Sequence, residues 1–118
     1  MNQVRLAHGL APLKEDATLD GTARAHTRWM LHTGEFAHGN FGYRILHSHA
    51  RGHTFGENLA WGEGPAASAE AIVQAWLASP EHRRNLLSPS FRRVGLARIC
   101  GPFEGFDDTA VITTDFAG

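Results

Sequence analysis

The spacing of apolar residues changes in the tail of this chain, beyond Pro89. Before it, two long segments have apolar positions that recur every three or four residues. Leu19, Ala23, His26 and Met30 follow one another at steps of four, three and four, one stripe of a helix that Asp16 can cap and Gly34 can end. Ala69, Ile72, Val73, Trp76 and Leu77 give the buried face of a further helix from Ser68 to Ala78, with Ser68 as its cap and Glu70 in its first turn. Beyond Pro89, Val94–Cys100 and Thr109–Phe116 are rich in β-branched and apolar residues and read as strands, with GPFEGFDD at 101–108 as the turn region between them. Helices first and a terminal hairpin last predict an α+β fold, with helices packed on a small antiparallel sheet of about three strands.

The remaining segments fit around this frame. Residues 2–9 read as the end of a helix that Gly9 stops. Residues 34–56 are rich in Gly and His, with a short helix near Tyr43–His49, and a third strand falls near Asn58–Trp61. Ser79 can cap a helical turn that Pro80 opens and that runs to Leu87. No repeat or low-complexity linker interrupts the chain, so residues 1–118 read as one domain. A helical pattern already under way at Val4 suggests a natural chain that begins further upstream.

Composition excludes several classes of function. The 118 residues carry a formal net charge of -1, which does not mark a nucleic-acid binder. No apolar run approaches the roughly 20 residues of a membrane span, and residues 1–13 lack the basic start and unbroken apolar stretch of a signal peptide. Cys100 is the only cysteine, so no intramolecular disulfide forms, and its place at the end of an apolar strand predicts a small buried hydrophobe. Neither a phosphate-binding G-x-x-x-x-G-K-[ST] loop nor a G-x-S-x-G nucleophile turn is present.

Three segments at element ends hold the polar residues of interest: Phe36-Ala37-His38-Gly39, Gly56-Glu57-Asn58-Leu59-Ala60-Trp61-Gly62 and Ser79-Pro80-Glu81-His82-Arg83. His38, Glu57 and His82 are ligand types for a divalent metal such as zinc that keeps an open position. Other readings stand beside this one. Glu57 can hold its loop by accepting backbone N–H groups, and His82 can pair with Glu57 with no metal between them. Asn58 reads as a structural hydrogen bonder, Trp61 and Trp76 as core, and Ser79 as a helix cap. The tract His47, His49 and His53 is a rival metal clamp, but His47 and His49 face opposite ways in a strand and lie about 200° apart on a helix, so it reads as a solvated loop beside the cleft.

FAH at 36–38, GENLAWG at 56–62, WLASPEHRRNLL at 76–87 and VGLA at 94–97 together resemble the successive signatures of bacterial CAP-superfamily domains, with NQVRLAHGLAPL at 2–13 and Thr113–Phe116 matching in order. The resemblance spans nearly the whole chain. It implies a three-layer α-β-α sandwich around a cleft and a location outside the cell or in the cell envelope. Relatives often place two histidines and two acidic residues in that cleft, where a divalent ion can bind. His38, Glu57 and His82 match three of these positions. The fourth, three residues after Trp76, is Ser79, and Glu81 stands nearby at a different position; Asn58, Ser79, Glu81 and His53 are expected to line the cleft.

The resemblance implies a binding or interaction domain whose ligand is an extracellular protein, lipid or cell-envelope component, with weak affinity for a metal. A metal-dependent hydrolase acting on peptides or cell-envelope material is the second reading. It needs His38 and His82 on zinc, with Glu57 as a third ligand or as the general base but not both, or Glu81 as the base. A lipid-binding module is the third, with Phe41, Phe55 or Phe103 as candidate groove residues.

Overall fold

A computed structural model describes residues 1–118. In chain order the elements are α1 (Asn2–Ala7), β1 (Lys14–Glu15), α2 (Ala17–Thr33), α3 (Phe41–Ser48), β2 (Phe55–Gly62), a 3₁₀ turn (Gly64–Ala67), α4 (Ala69–Ala78), α5 (Pro80–Leu86), β3 (Arg93–Phe103) and β4 (Phe106–Ala117). The strands form one sheet in the order β1-β3-β4-β2. The hairpin expected at the C-terminus is there, β3 antiparallel to β4, and β2 pairs antiparallel on the other side of β4. The sheet is mixed rather than purely antiparallel, because the two-residue β1 joins β3 in parallel. Two residues are too short to show any period, so β1 leaves no trace in the sequence.

The caps behave largely as their chemistry dictates. The Asp16 carboxylate accepts from the Leu19 N–H, Ser68 Oγ accepts from the Ala71 N–H, and Gly34 closes α2 at φ 75. The hairpin loop is tighter than the eight-residue turn region predicted. Glu104 and Gly105 both take positive φ, 52 and 83, the mirror-image two-residue turn that matches strand twist, and both strands extend to it.

The alternation of β4 divides the core. Thr109, Val111, Thr113, Asp115 and Ala117 face α2, which runs antiparallel above them: Met30 packs with Val111, the Thr27 and Thr113 hydroxyls lie 2.8 Å apart, and Leu19 packs with Ala117. Ala110 and Ile112 face the other way, onto Ile72 and Trp76 of α4 and Leu86 of α5. The α-β-α sandwich is thus present, with α2 and α3 on one side and α4 and α5 on the other. Close approach of α2 to the sheet depends on Gly95 of β3, where a Cβ would fall 2.0 Å from the Leu19 carbonyl carbon.

Two expectations about the core fail. Cys100 is exposed, because on β3 it shares a face with Leu96 and Arg98 that the short helix α4 does not cover. Trp61 is 37% exposed at the end of β2, whereas Trp76 is buried and donates its indole N–H to the Leu59 carbonyl.

The edge strand β2 is protected along its free side. Asn85 of α5 donates to the Glu57 carbonyl and Trp76 to the Leu59 carbonyl, so outward-pointing acceptors are taken by side chains. Arg5 ties α1 to the segment before β3. Its buried guanidinium donates to the carbonyls of Ala11, Leu86, Ser88 and Phe91, with no carboxylate partner.

Candidate functional site

The site is built on two consecutive residues of β2. Neighbouring residues of a strand point to opposite faces, so Glu57 turns toward α2 and α3 while Asn58 turns toward α5. Each holds one histidine-bearing segment. Glu57 Oε1 accepts from His38 Nδ1 at 2.9 Å. Asn58 donates its amide to the main-chain carbonyl of His82 at 3.0 Å and accepts from Asn85 at 3.0 Å. Asn58 is therefore the structural hydrogen bonder that its residue type suggests.

Glu57 does not lie in a loop accepting backbone N–H groups. Its buried carboxylate receives Arg44 of α3, whose Nη2 donates to Oε1 at 3.0 Å and Oε2 at 2.9 Å and also to the His38 carbonyl at 2.8 Å. Arg44 Nη1 lies 3.7 Å from Asp115 Oδ2. Asp115 stands opposite Glu57 in the β2–β4 register and meets the Thr22 hydroxyl at 2.6 Å. Burial pushes the Asp115 carboxyl up to about 8, reinforced by its hydrogen bond and charge repulsion with Glu57. Burial pushes Glu57 the same way, but hydrogen bonds from His38 and Asp115 and the Arg44 charge hold it below the usual carboxylate range. The two shifts run in opposite directions, which makes Asp115 the protonated member of the pair and Glu57 the ionised one; Asp115 Oδ1 is buried without a hydrogen-bond partner.

The two imidazoles differ. His38 is about half exposed, and its hydrogen bond to Glu57 raises its pKa against the opposing effect of burial. With Nδ1 donating to a carboxylate, its Nε2 lone pair is free when the ring is neutral. His82, on α5, is held below the usual histidine range by burial and then by the charge of His38, so the two rings sit within electrostatic reach of each other. Glu81 is exposed and its charge bears on both rings.

Several expectations about contacts are corrected. His82 does not pair with Glu57; its Nδ1 lies 2.9 Å from Ser79 Oγ. Ser79 does not cap α5 with its side chain, since its hydroxyl faces that imidazole. The Ser79 hydroxyl can orient the ring without adding charge. His53 is exposed before β2, its backbone N–H donating to the Gly118 carbonyl, and no contact ties it to His38 or His82. In the rival tract, His47 stacks on Tyr43 at 3.8 Å and its Nδ1 meets the Tyr43 carbonyl, while His49 is the left-handed residue that ends α3.

Sequence reasoning missed Arg44, Asp115, Thr22 and part of the role of His26. Asp115 left a signal: a carboxylate in the middle of Val111–Phe116, an otherwise apolar and β-branched strand. His26 belongs to the expected α2 stripe, but it also donates Nε2–H to the Ala37 carbonyl at 2.7 Å and stacks on Trp29, fixing the loop that presents His38. Arg44 gave no signal, because an arginine on a short helix is normally a solvated one.

A divalent ion held by three side chains does not fit this arrangement. No group of three His, Cys, Asp or Glu side chains comes together to hold one, and both oxygens of Glu57 already receive charged donors.

A mixed four-stranded sheet between two helical layers, with a histidine–carboxylate–arginine cluster at its edge strand, defines the α-β-α sandwich class. The chain belongs to the CAP family, the cysteine-rich secretory protein family, whose pattern matches residues 1–114. It is 34% identical over 103 residues to the uncharacterized protein YkwD of Bacillus subtilis, an alignment that covers 83% of this chain and 39% of that protein. A crystal structure of an extracellular protein containing an SCP domain from Bacillus anthracis superposes with TM-score 0.80 at 27% identity, covering 98% of this chain and 37% of the other. An outer surface protein of Borrelia burgdorferi shares the fold, with TM-score 0.76 at 22% identity and coverage of 99% and 86%. The chain spans about two-fifths of the length of the first two of these relatives. None of its helices is long and apolar enough to cross a membrane.

Proposed function

We propose that this chain is a binding domain of the cell exterior or envelope, and that the surface carrying His38 and His82 receives its ligand. The observation that carries this reading is the state of Glu57. Arg44 and His38 occupy both its oxygens, and the ionised carboxylate orients an imidazole rather than accepting a substrate proton. A zinc hydrolase needs three firm ligands and a separate proton-transfer group, and the acids near the rings are this engaged Glu57 and the exposed Glu81. The two imidazoles remain as contact groups for a ligand and as a weak two-nitrogen site for a divalent cation such as zinc, completed by solvent or by the ligand itself.

The test is calorimetry with zinc at neutral pH on the wild type, His38→Ala and His82→Ala. Weak binding that falls at least about tenfold in each variant, a loss of about 1.4 kcal/mol, is expected. Binding should also fall as pH drops through the histidine range, since a ligating imidazole is neutral. Equal affinity in wild type and either variant would remove that histidine from the site. Chelator-sensitive cleavage of peptide or peptidoglycan substrates that disappears in both His38→Ala and Glu57→Gln would replace this reading with the hydrolase.

One observation favours a lipid reading as a second, at a place lined by none of Phe41, Phe55 or Phe103. An apolar pocket of about 160 Å³ opens between α4 and the sheet, lined by Met1, Ile72, Val73, Trp76, Leu96 and Ile112. Its volume suits the end of an alkyl chain rather than a whole ligand. Displacement of a fluorescent fatty acid, lost in a variant that fills the pocket such as Val73→Phe, is the outcome that supports it.

A further inference from the structure

Four aromatic rings gather at the end of β2 remote from Glu57. Residues 57 and 61 share a strand face, which places this cluster about 13 Å from the carboxylate cluster. Phe103 is buried at its centre. Trp61 meets Phe103 edge-on with centroids 6.2 Å apart, Phe36 does so at 6.4 Å, and Phe106 lies 6.1 Å from Trp61. The three outer rings remain open to solvent, Trp61 at 37%, Phe36 at 42% and Phe106 at 44%. Single exposed aromatics are ordinary on a protein surface; three in one connected cluster, contributed by three separate segments, are not.

The same three segments carry Glu35, Glu63, Glu104, Asp107 and Asp108, all exposed. These are five of the chain's twelve acidic residues, and residues 34–37, 61–64 and 101–109 contain no lysine or arginine. The ion pairs of the structure involve Glu57, Asp115 and Asp16, and none of these five. A chain of net charge -1 therefore concentrates unpaired acid around one aromatic surface.

Both features select the same ligand chemistry. The face of an aromatic ring is electrostatically negative and attracts guanidinium and ammonium groups, indole most strongly. The surrounding acids attract the same groups over a longer range and repel phosphate. Nucleic acids and phosphate-bearing lipid headgroups are thereby disfavoured, and five separate acids are matched better by several linked cations than by one. We propose that the surface formed by Phe36, Trp61 and Phe106 with these acids docks a basic polypeptide segment of a partner protein, with an arginine or lysine side chain laid across Trp61. The surface shares no side chain with His38 or His82, so it stands whether or not those histidines bind metal.

The probe is a short fluorescein-labelled peptide of alternating arginine and leucine, followed by anisotropy. Controls are the same peptide with uncharged citrulline in place of arginine, and phosphatidylcholine vesicles. The wild type should bind the arginine peptide, and binding should weaken at least about tenfold in Trp61→Ala, consistent with losing a cation–π contact. The pair Asp107→Lys and Asp108→Lys should weaken it as much; these exposed positions keep the test valid if Trp61→Ala does not fold. The citrulline peptide should bind at least tenfold more weakly, and salt should reduce arginine-peptide binding. No binding by the wild type, equal binding of the citrulline peptide, or unchanged affinity in the charge-reversed protein would each overturn the proposal. Binding to vesicles in preference to peptide would overturn it in favour of a lipid headgroup.

Discussion

Glu57 and Asp115 stand directly opposite each other on β2 and β4, two buried carboxyl groups on neighbouring strands with one guanidinium, Arg44, reaching toward both. The outward carbonyl of Glu57 goes to Asn85, which makes this a pair without mutual backbone hydrogen bonds, with Cα atoms about 4.5 Å apart. Burial and the neighbouring Glu57 charge raise the Asp115 carboxyl to about 8, so of the two it is Asp115 that holds a proton at neutral pH.

That proton makes stability depend on pH. The folded chain holds it up to about 8, whereas an unfolded chain releases it near the ordinary value of 3.8. Between these limits the folded state binds more protons, so raising the pH weakens folding by up to about 1.4 kcal/mol per unit for this group. Asp115→Asn keeps a donor toward Glu57 and an acceptor for Thr22 but cannot ionise. Urea unfolding at pH 5 and pH 8 should show the variant gaining on the wild type as pH rises; a constant difference would mean that Asp115 is already ionised.

Glu57 sets the titration of His38 through a direct hydrogen bond. Glu57→Gln removes the charge and keeps the shape, so the His38 pKa, raised in the wild type, should fall back toward or below 6.5. Histidine titration by NMR reads this residue by residue. An unmoved His38 would show that the 2.9 Å contact does not persist in solution.

Arg5 carries a buried positive charge satisfied only by carbonyls. Arg5→Met fills similar space but leaves the carbonyls of Ala11, Leu86, Ser88 and Phe91 without this donor. A loss of about 3 kcal/mol or more in chemical denaturation is expected. A loss below about 1 kcal/mol would mean that water replaces the guanidinium freely.

Gly95→Ala is expected to be more damaging than any surface change. Its Cβ would meet main-chain atoms of Leu19 and Asp20 at 2.0 to 2.3 Å, where no rotamer can yield. Overpacking of side chains costs about 1–3 kcal/mol, and a clash with backbone should exceed this. Wild-type stability in the variant would refute the close docking of α2 on β3.

The large elements were legible because their signals are periodic. The α2 stripe of Leu19, Ala23, His26 and Met30 is buried as its spacing predicts, and the β3–β4 hairpin follows the change of period after Pro89. Exposure at element ends was not legible. Whether Trp61 or Cys100 is covered depends on where α2 and α4 stop over the sheet, which strand alternation does not encode. The site was half legible for the same reason. His38, Glu57 and His82 stand out by type and family pattern, but Arg44 and Asp115 reach Glu57 through long-range pairing that no local window contains.

The placement of Glu57 beside Asn58 has a consequence for transplanting this cluster. The two imidazole segments come from opposite helical layers, yet neighbouring residues on one edge strand anchor both of them. Inserting one residue after Phe55 would exchange the two faces, sending the carboxylate toward α5 and the amide toward Arg44. A scaffold chosen to receive the cluster therefore has to offer a terminal strand flanked by helices on both sides; a well-placed pair of helices alone would supply the histidines without the bracket that holds them.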